Sequence, residues 1–313
     1  MPKLSLVINK NDTAKHIYQT LGMPETLDCL VNSGLFDVTY HTEKISTTKG
    51  ERGTVVYFQG KKIYIDFWEY NNPTWTLPVY NAGFDLIIKL QHRNSLKNND
   101  ELERVCQRKH ILTNGLTVED RQKYRDKMTT WTFFCSKMML PFWGKEDLIQ
   151  PIPIERLGFF CGKTWKSRGA MLKKFERDGI EVIHSSQETP GQKPLTDEAY
   201  LYKMKSSKLG LVLGGKASHL TECKNRREID FMMLSKPLCI NYKPSYYNPL
   251  VEGKHYIYID EKIDLKNLEN QYNIDEIARN GWQWYQDNAS PSGLVKTFLQ
   301  IMREKLNVGT ETA

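Results

Sequence analysis

The sequence predicts an α/β protein of two domains. With 313 residues and 40% hydrophobic content, the chain can bury a sizeable core and exceeds the usual length of one domain. Its second half alternates apolar, strand-like runs with helix-like segments, which is typical of a largely parallel sheet covered on both faces. Residues 150–155 favour an extended connection because Pro151 and Pro153 restrict the backbone. We therefore predict domains at 1–150 and 151–313.

The first half of the chain mixes strands with helices. A buried first strand is expected over residues 4–8, followed by helices over 13–21 and 24–33, the second ending at Gly34. β-Branched and aromatic residues predict strands over 37–40, 53–58, 62–68 and 85–90, with a turn at 59–61. Within the polar stretch 91–125, one helix is expected near 100–109.

The second half repeats a strand-helix rhythm. Strands are expected over 157–161, 180–184, 209–213, 237–241 and 255–259. Helices are expected over 169–177, 199–206, 274–286 and 293–305, with a short helix carrying Arg226, Arg227 and Asp230. Because parallel sheets bind ligands at the carboxyl ends of their strands, the loops at those ends are the candidate sites.

Composition narrows the class of partner and the compartment. A net charge of +7 and a pI near 8.9 favour anionic ligands, while the lack of long like-charge blocks argues against a nucleic-acid-binding tail. No segment has the length and apolarity of a signal peptide or membrane span. The cysteines form no C-x-x-C pair, and no histidines are paired at metal spacing, so we expect reduced thiols, a cytoplasmic location and no metal site. They are Cys29, Cys106, Cys135, Cys161, Cys223 and Cys239.

Two loops of the second half have the chemistry of a phosphate site. In the first, Gly162 allows close approach, and Lys163 and Arg168 place positive charge ahead of a helix. A Walker A loop is disfavoured because three residues, not four, separate Gly158 from Gly162, and because the helix expected at residue 169 starts late. A basic surface turn is the remaining alternative.

The second loop begins with Gly214 and Gly215 and leads to the short helix. Paired glycines let the backbone pass close to a ligand, and helix amide groups favour a diphosphate. Arg227 lies three positions before Asp230, so both can serve one ligand: the guanidinium would bind phosphate oxygens and the carboxylate sugar hydroxyls. On the helical wheel Glu228 points elsewhere. The alternative is an Arg/Asp ion pair on a surface helix.

These segments together resemble the donor-binding domain of GT-B glycosyltransferases, in the branch with the exostosin-like and protein O-glucosyltransferase-like enzymes. The resemblance covers roughly residues 155–305. It depends on Gly-Lys-Thr-Trp-Lys-Ser-Arg at 162–168, the Tyr-rich helix and Gly-ended strand at 200–214, and Arg-Glu-Ile-Asp at 227–230, seven residues before Pro237. It implies two Rossmann-like domains facing across a cleft, with the acceptor on the N-terminal side and the donor on the C-terminal side.

The resemblance also implies the reaction. A hexosyl or pentosyl group would pass from a nucleoside diphosphate sugar to a hydroxyl of a glycan, protein or lipid-linked acceptor, without metal, cofactor or nucleic acid. Asp230 stands where a ribose-binding Glu is usual. Glu222 and Asp230 imitate the Glu-x7-Glu spacing of retaining enzymes without the Gly-Phe-Gly that often follows the first Glu. Inversion and retention therefore both stay open.

The implied site residues divide between the two domains. The donor site comprises Gly162, Lys163, Arg168, Gly214, Gly215, Glu222, Arg227 and Asp230. Lys163 and Arg168 would contact one side of the diphosphate, Arg227 the other, and Asp230 the ribose. A general base for the acceptor would come from Asp66, Glu69 or His92 in the first domain. For Asp66 the alternative is an ordinary hydrogen-bonding role at a strand end.

Two other classes of function use similar residues. A non-catalytic nucleotide or nucleic-acid binding protein would need the basic loops but no carboxylate in the first domain. A nucleotide-sugar epimerase would act on the free nucleotide sugar without an acceptor. Substitution of the first-domain carboxylates and analysis of the products separate these alternatives.

Overall fold

A computed structural model describes most of the second half of the chain and parts of the first. The described residues are 3–9, 23–42, 53–66, 83–89, 126–132, 135–145, 148, 150–162, 166–184, 195–214, 222–223 and 226–308. The chain divides into two compact units. The first comprises Met1–Thr132 together with Leu294–Ala313, and the second comprises Phe133–Gly293.

The first unit contains a six-stranded mixed sheet of order β2-β1-β3-β4-β5-β6. Its described elements are β1 (Leu4–Asn9), α1 (Met23–Asn32), β2 (Phe36–His41), β3 (Gly53–Phe58), β4 (Lys61–Asp66), β5 (Leu86–Lys89) and β6 (Met128–Thr130). β3 runs antiparallel to β1 and β4, whereas the other neighbouring pairs are parallel. The tight β3–β4 turn requires positive φ at Gln59 (49°) and Gly60 (76°).

The last helix completes the core of the first unit. This helix, α6, spans Pro291–Leu306. Phe298 of α6 is fully buried and packs edge-to-face against Phe36 of β2 and Phe58 of β3, with ring centroids 6.4 and 5.8 Å away. The Trp131 ring, which follows β6, lies 5.3 Å from it. Four aromatic rings from distant parts of the sequence thus form one cluster.

The second unit contains a five-stranded parallel sheet. Its elements are β7 (Arg156–Gly162), α2 (Lys166–Arg177), β8 (Ile180–His184), α3 (Asp197–Lys205), β9 (Ser207–Val212), β10 (Glu222–Cys223), α4 (Arg226–Met233), β11 (Leu238–Ile240), β12 (Lys243–Pro244), β13 (Tyr256–Tyr258) and α5 (Ile274–Asn288). Two 3-10 helices span Lys137–Phe142 and Leu265–Asn270. The sheet order is β13-β11-β9-β7-β8, and β10 pairs separately with β12. If these five strands are numbered in chain order, their order in the sheet is 2-1-3-4-5, as in other doubly wound sheets.

Apolar side chains on one face of this sheet pack against two helices. Phe160, Leu209 and Leu211 from the strands pack with Phe175 of α2 and Ile277 of α5 in one buried cluster. A fully buried side chain of this size contributes about 2 kcal/mol to stability relative to an exposed one. The core therefore holds the carboxyl ends of β7 and β9, where the candidate loops begin, in fixed positions.

The α/β class predicted from the sequence is confirmed in both units, and two details differ. α2 begins at Lys166 rather than residue 169, because its first turn is polar and gives no apolar periodicity to detect. The start of α2 therefore lies closer to the Gly-Lys-Thr sequence at 162–164 than expected, although it still follows that sequence. Gly158 nevertheless lies inside β7, paired with Ile180 and Leu209, so it cannot open a phosphate-binding loop.

The division between units also differs from the predicted one at residue 150. Residues 135–145 belong to the second unit: the Ser136 amide donates to Asp230 at 2.7 Å, and the Trp143 indole donates to the Ala289 carbonyl at 3.1 Å. The proline-rich segment 150–155 leads into β7 within that unit. The predicted helices at 13–21 and 100–109 lie outside the described residues.

Candidate functional site

The candidate site lies at the carboxyl ends of β7 and β9, which are neighbours in the parallel sheet. In the sheet, β8 lies on one side of β7, and β9 lies on the other side. The strand order therefore changes direction between β7 and β9. Doubly wound sheets bind ligands at such a point. β7 ends at Gly162, and Gly214 follows β9. The Gly214 amide donates to the Asn241 side chain at 2.8 Å, which fixes the start of the second loop.

Arg227 of α4 lies against the end of β7. A methyl group added at Gly162 would be 2.8 Å from Nη1 and 3.2 Å from Nη2 of its guanidinium, so the group occupies space that glycine leaves open. The guanidinium also lies 5.8 Å from the centroid of the Phe160 ring, within cation–π distance. The side chain is partly buried. This arrangement places a permanent positive charge at the switch point.

Three further groups hold Arg227, and we call them with it the Arg227 network. The guanidinium hydrogen bonds to the Tyr200 hydroxyl. The Tyr200 hydroxyl donates to Oδ2 of Asp230 at 3.4 Å, and the Ser136 amide donates to Oδ1 of Asp230 at 2.7 Å. Tyr200 comes from α3, Asp230 from α4, and Ser136 precedes a 3-10 helix. The network therefore connects three elements of the second unit.

Burial dominates the ionisation of this network. Asp230 is 0% exposed, and removal from water raises its pKa to about 6, although the Ser136 amide, Arg227 and Tyr200 all favour the charged form. Burial also raises the pKa of Tyr200, so its hydroxyl stays protonated and can donate. A carboxylate with a strongly shifted pKa beside a cation at a strand end is typical of functional sites.

The raised pKa of Asp230 gives a testable dependence of stability on pH. An unfolded aspartate has a pKa of about 3.9. Because the folded pKa is higher, about 6, the folded protein binds more protons, so stability from this group is complete below about pH 3.9 and is lost as pH rises through about 6. Relative to Asp230→Asn, wild-type stability should rise by about 1.5 kcal/mol between pH 8 and pH 5.

Urea unfolding of both proteins at pH 5, 6, 7 and 8 measures this difference. All other titrating groups are common to both proteins and cancel in the comparison. Asparagine can still accept from the Ser136 amide, so the variant retains that contact. A difference in unfolding free energy that stays constant from pH 5 to pH 8 would contradict the raised pKa.

A second buried carboxylate lies two residues earlier on the same helix. Glu228 is 0% exposed and accepts hydrogen bonds from the hydroxyls of Tyr242 and Tyr246. The Tyr246 ring packs against Trp284 of α5, with centroids 4.9 Å apart. Glu228 thereby attaches the chain after β11 to α4. The helical wheel excluded Glu228 from the site, and no local pattern indicated its burial, because only the tertiary fold brings Tyr242 and Tyr246 to it.

The structure brings together three of the predicted donor-site residues. Gly162, Arg227 and Asp230 lie in one group, and Gly214 lies at the adjoining strand end. The surface ion-pair alternative is wrong, because α4 is buried from Glu228 to Met233. Both Asp230 oxygens contact protein groups, which differs from the prediction that this carboxylate faces a ribose.

Other predicted residues are only partly described or lie outside the description. For Asp66, Arg168 and Glu222 the structure describes the backbone: Asp66 ends β4, Arg168 lies in the first turn of α2, and Glu222 begins β10. Four predicted site residues lie outside the described part of the chain: Lys163, Gly215, Glu69 and His92. Their roles remain predictions.

The described residues contain neither a metal-binding cluster nor a membrane-spanning helix. No group of three or more histidine, cysteine, aspartate and glutamate side chains there could hold a metal ion. No helix in that part of the chain has the length and apolarity needed to cross a membrane. The described cysteines Cys29, Cys135, Cys161 and Cys239 are free thiols.

Comparison with known proteins gives matches among solved structures only. No protein-family model and no curated protein sequence matches the chain. A glycosyltransferase from Rickettsia africae matches with a TM-score of 0.46 and 11% identity, covering 96% of this chain and 85% of that one. A sucrose-phosphate synthase from Thermosynechococcus elongatus matches at 0.42 and 10%, covering 93% and 94%. HepE from Anabaena, solved with UDP, matches at 0.38 and 9%, covering 93% and 82%.

These values are low. At such scores and identities the likeness carries no weight in deciding the function of this chain. We therefore infer function from the side chains at the ends of β7 and β9.

Proposed function

We propose that the protein is a glycosyltransferase that binds a nucleoside diphosphate sugar at the carboxyl ends of β7 and β9. One observation carries the proposal: the Arg227 guanidinium lies against Gly162 at the switch point of a doubly wound sheet. This is where such sheets bind ligands, and a guanidinium matches the oxygens of a diphosphate in a planar fork. The exostosin-like branch suggested by the sequence belongs to the same proposal.

The proposed reaction transfers a hexosyl or pentosyl group to an acceptor hydroxyl. A bond forms between the acceptor oxygen and the anomeric carbon, and the bond from that carbon to the diphosphate oxygen breaks. The diphosphate leaves with the electron pair of the broken bond. Arg227, with Lys163 and Arg168 from the first loop, would stabilise the charge that develops on it, so a metal is not required in this scheme. Gly214, Gly215 and Glu222 would complete the donor site.

The proton of the acceptor hydroxyl goes to a base. In an inverting reaction this base would be Asp66, Glu69 or His92, and the acceptor would be a glycan, a protein or a lipid-linked sugar. The buried Asp230 is better suited to holding Arg227 than to binding ribose, because protein groups already contact both of its oxygens. The ribose contact is therefore left to other groups of the site.

A ligand screen followed by product analysis tests the proposal. Thermal unfolding is measured with UDP, GDP, CMP and dTDP, since a ligand that binds the folded state raises its apparent stability. The corresponding nucleotide sugars are then incubated with and without hydroxyl acceptors, and the products are identified by mass spectrometry and NMR. We expect a thermal shift with at least one nucleoside diphosphate and an acceptor-dependent sugar product.

Three outcomes would contradict the proposal in different ways. Binding without any product, unchanged by Asp66→Asn and Glu69→Gln, would indicate a non-catalytic nucleotide-binding protein. Conversion of the free nucleotide sugar without acceptor would indicate an epimerase. Absence of a shift with every nucleotide would remove the donor site itself.

A further inference from the structure

We infer that Tyr200 is a positioning residue for Arg227: its buried hydroxyl connects the guanidinium to Asp230 and fixes it at the end of β7. This inference rests on the proposed diphosphate site and adds the residues that prepare it for the ligand. Tyr200 and Asp230 need not touch the ligand to act in this way.

The Tyr200 ring can hold its hydroxyl in one place. Tyr200 is 2% exposed, and its ring packs edge-to-face against Phe159 of β7, with centroids 5.7 Å apart and planes at 70°. Phe159 is itself buried in the sheet. The ring therefore cannot change rotamer without disturbing the core, and the hydroxyl stays at a fixed distance from β7.

The Ser136 amide sets the donor-to-acceptor direction of the hydrogen bonds in the network. The Ser136 amide can only donate, so it directs one oxygen of Asp230 toward itself at 2.7 Å. The other oxygen accepts from the Tyr200 hydroxyl, which leaves the lone pairs of that hydroxyl for a donor. The Arg227 guanidinium has only donors and occupies that position. Each bond in the sequence from Ser136 to Arg227 thus determines the direction of the next.

The charges around the network favour this arrangement. Asp230 and Arg227 attract each other, and the Cys161 thiol of β7 also lies near Arg227. Burial raises the pKa of Cys161, so the thiol is neutral and does not compete for the guanidinium. An arginine side chain has many rotamers, and ordering it before the ligand arrives removes part of the entropy cost of binding.

A double-mutant cycle between Tyr200→Phe and Arg227→Ala tests the inference. The dissociation constants of UDP, GDP and inorganic pyrophosphate are measured by calorimetry and, for weak binding, by NMR titration to high ligand concentration. Tyr200→Phe removes one oxygen atom and should weaken binding about tenfold while Arg227 is present. When Arg227 is already alanine, the same change should alter binding by less than about twofold.

A merely structural role for Tyr200 gives a different pattern. Loss of packing around the site would weaken binding by the same factor whether residue 227 is arginine or alanine, and that result would overturn the inference. The absence of any effect of Tyr200→Phe in the wild-type background would also overturn it. If Arg227→Ala itself leaves binding unchanged, the proposed donor site fails. If Arg227→Ala weakens binding but Tyr200→Phe does not, only the inference fails.

A second measurement tests whether Tyr200 holds the Arg227 guanidinium in place. In ¹⁵N-labelled protein the side-chain signal of Arg227 is the one that disappears in Arg227→Ala. We expect slow hydrogen exchange of its guanidinium in the wild type and faster exchange in Tyr200→Phe. If Tyr200→Phe fails to fold, Asp230→Asn supplies the same readout at pH 8, because it removes the charge that attracts Arg227. Unchanged exchange in the folded variant would overturn the inference.

Discussion

Replacing Arg227 by alanine is expected to weaken nucleoside diphosphate binding by about 100-fold, since the variant loses charge-assisted hydrogen bonds to phosphate. Arg227 is the described cation that lies against Gly162 at the end of β7. The measurement is the dissociation constant of the nucleotide that gives the largest thermal shift in the wild type. Binding should fall while the protein remains folded, because the guanidinium is only partly buried.

The matched control is Arg177→Ala in the last turn of α2. Arg177 is exposed, and its Nε donates a 3.3 Å hydrogen bond to the Lys173 carbonyl of its own helix. The Arg177→Ala substitution removes the same charge from the same unit, so it controls for long-range attraction between a basic protein and an anion. Equal losses in the two variants would show that net charge, and not a site at Gly162, accounts for binding.

Gly162→Ala should reduce binding about tenfold or more and leave stability nearly unchanged. The added methyl group would be 2.8 Å from Nη1 of Arg227, so the guanidinium must move away from the strand end. The guanidinium is the end of a flexible side chain, so the main cost of moving it is the loss of its hydrogen bond to Tyr200. We therefore expect a change of less than about 1 kcal/mol in unfolding free energy. Urea unfolding and ligand titration measure the two effects separately.

Gly210→Ala is the matched contrast for Gly162→Ala. A methyl group there would be 2.5 Å from Cγ and 2.8 Å from Cβ of Phe231, a buried ring that cannot move freely. This variant should lose about 2 kcal/mol or more of stability through overpacking. A large loss of stability in Gly162→Ala, or full affinity in a stable Gly162→Ala protein, would contradict the position assigned to Arg227.

Much of the second unit could be predicted from the sequence, because its strands and helices have clear boundaries. Strands expected at 180–184 and 209–213 and the helix expected at 274–286 all appear within a few residues of those limits. Buried apolar runs bounded by glycine identify parallel strands well. The sequence also predicted the short helix with Arg227 and, separately, the loop that begins at Gly162, because glycine and basic residues after a strand are typical of a phosphate site.

Other features left no local signal. The 3-10 helix at Lys137–Phe142 and the three-residue strand β6 are too short to show a period. The burial of Asp230 and Glu228 depends on Ser136, Tyr200, Tyr242 and Tyr246, whose proximity arises only from the tertiary fold. The high aromatic content of the chain predicted a core, but it did not indicate which tyrosines would contact carboxylates.

The packing of Phe298 has a consequence for the order in which the nascent chain can fold. The unit Phe133–Gly293 is continuous, so it is complete once those residues leave the ribosome. The unit that begins at the amino terminus must wait for Leu294–Ala313, because its aromatic cluster includes a ring from α6. Domains usually fold in the order of their synthesis, but here the earlier-made unit is expected to finish last. Until then Phe36 and Phe58 lack the Phe298 ring that packs against both of them, so apolar surface of this unit stays exposed during that interval.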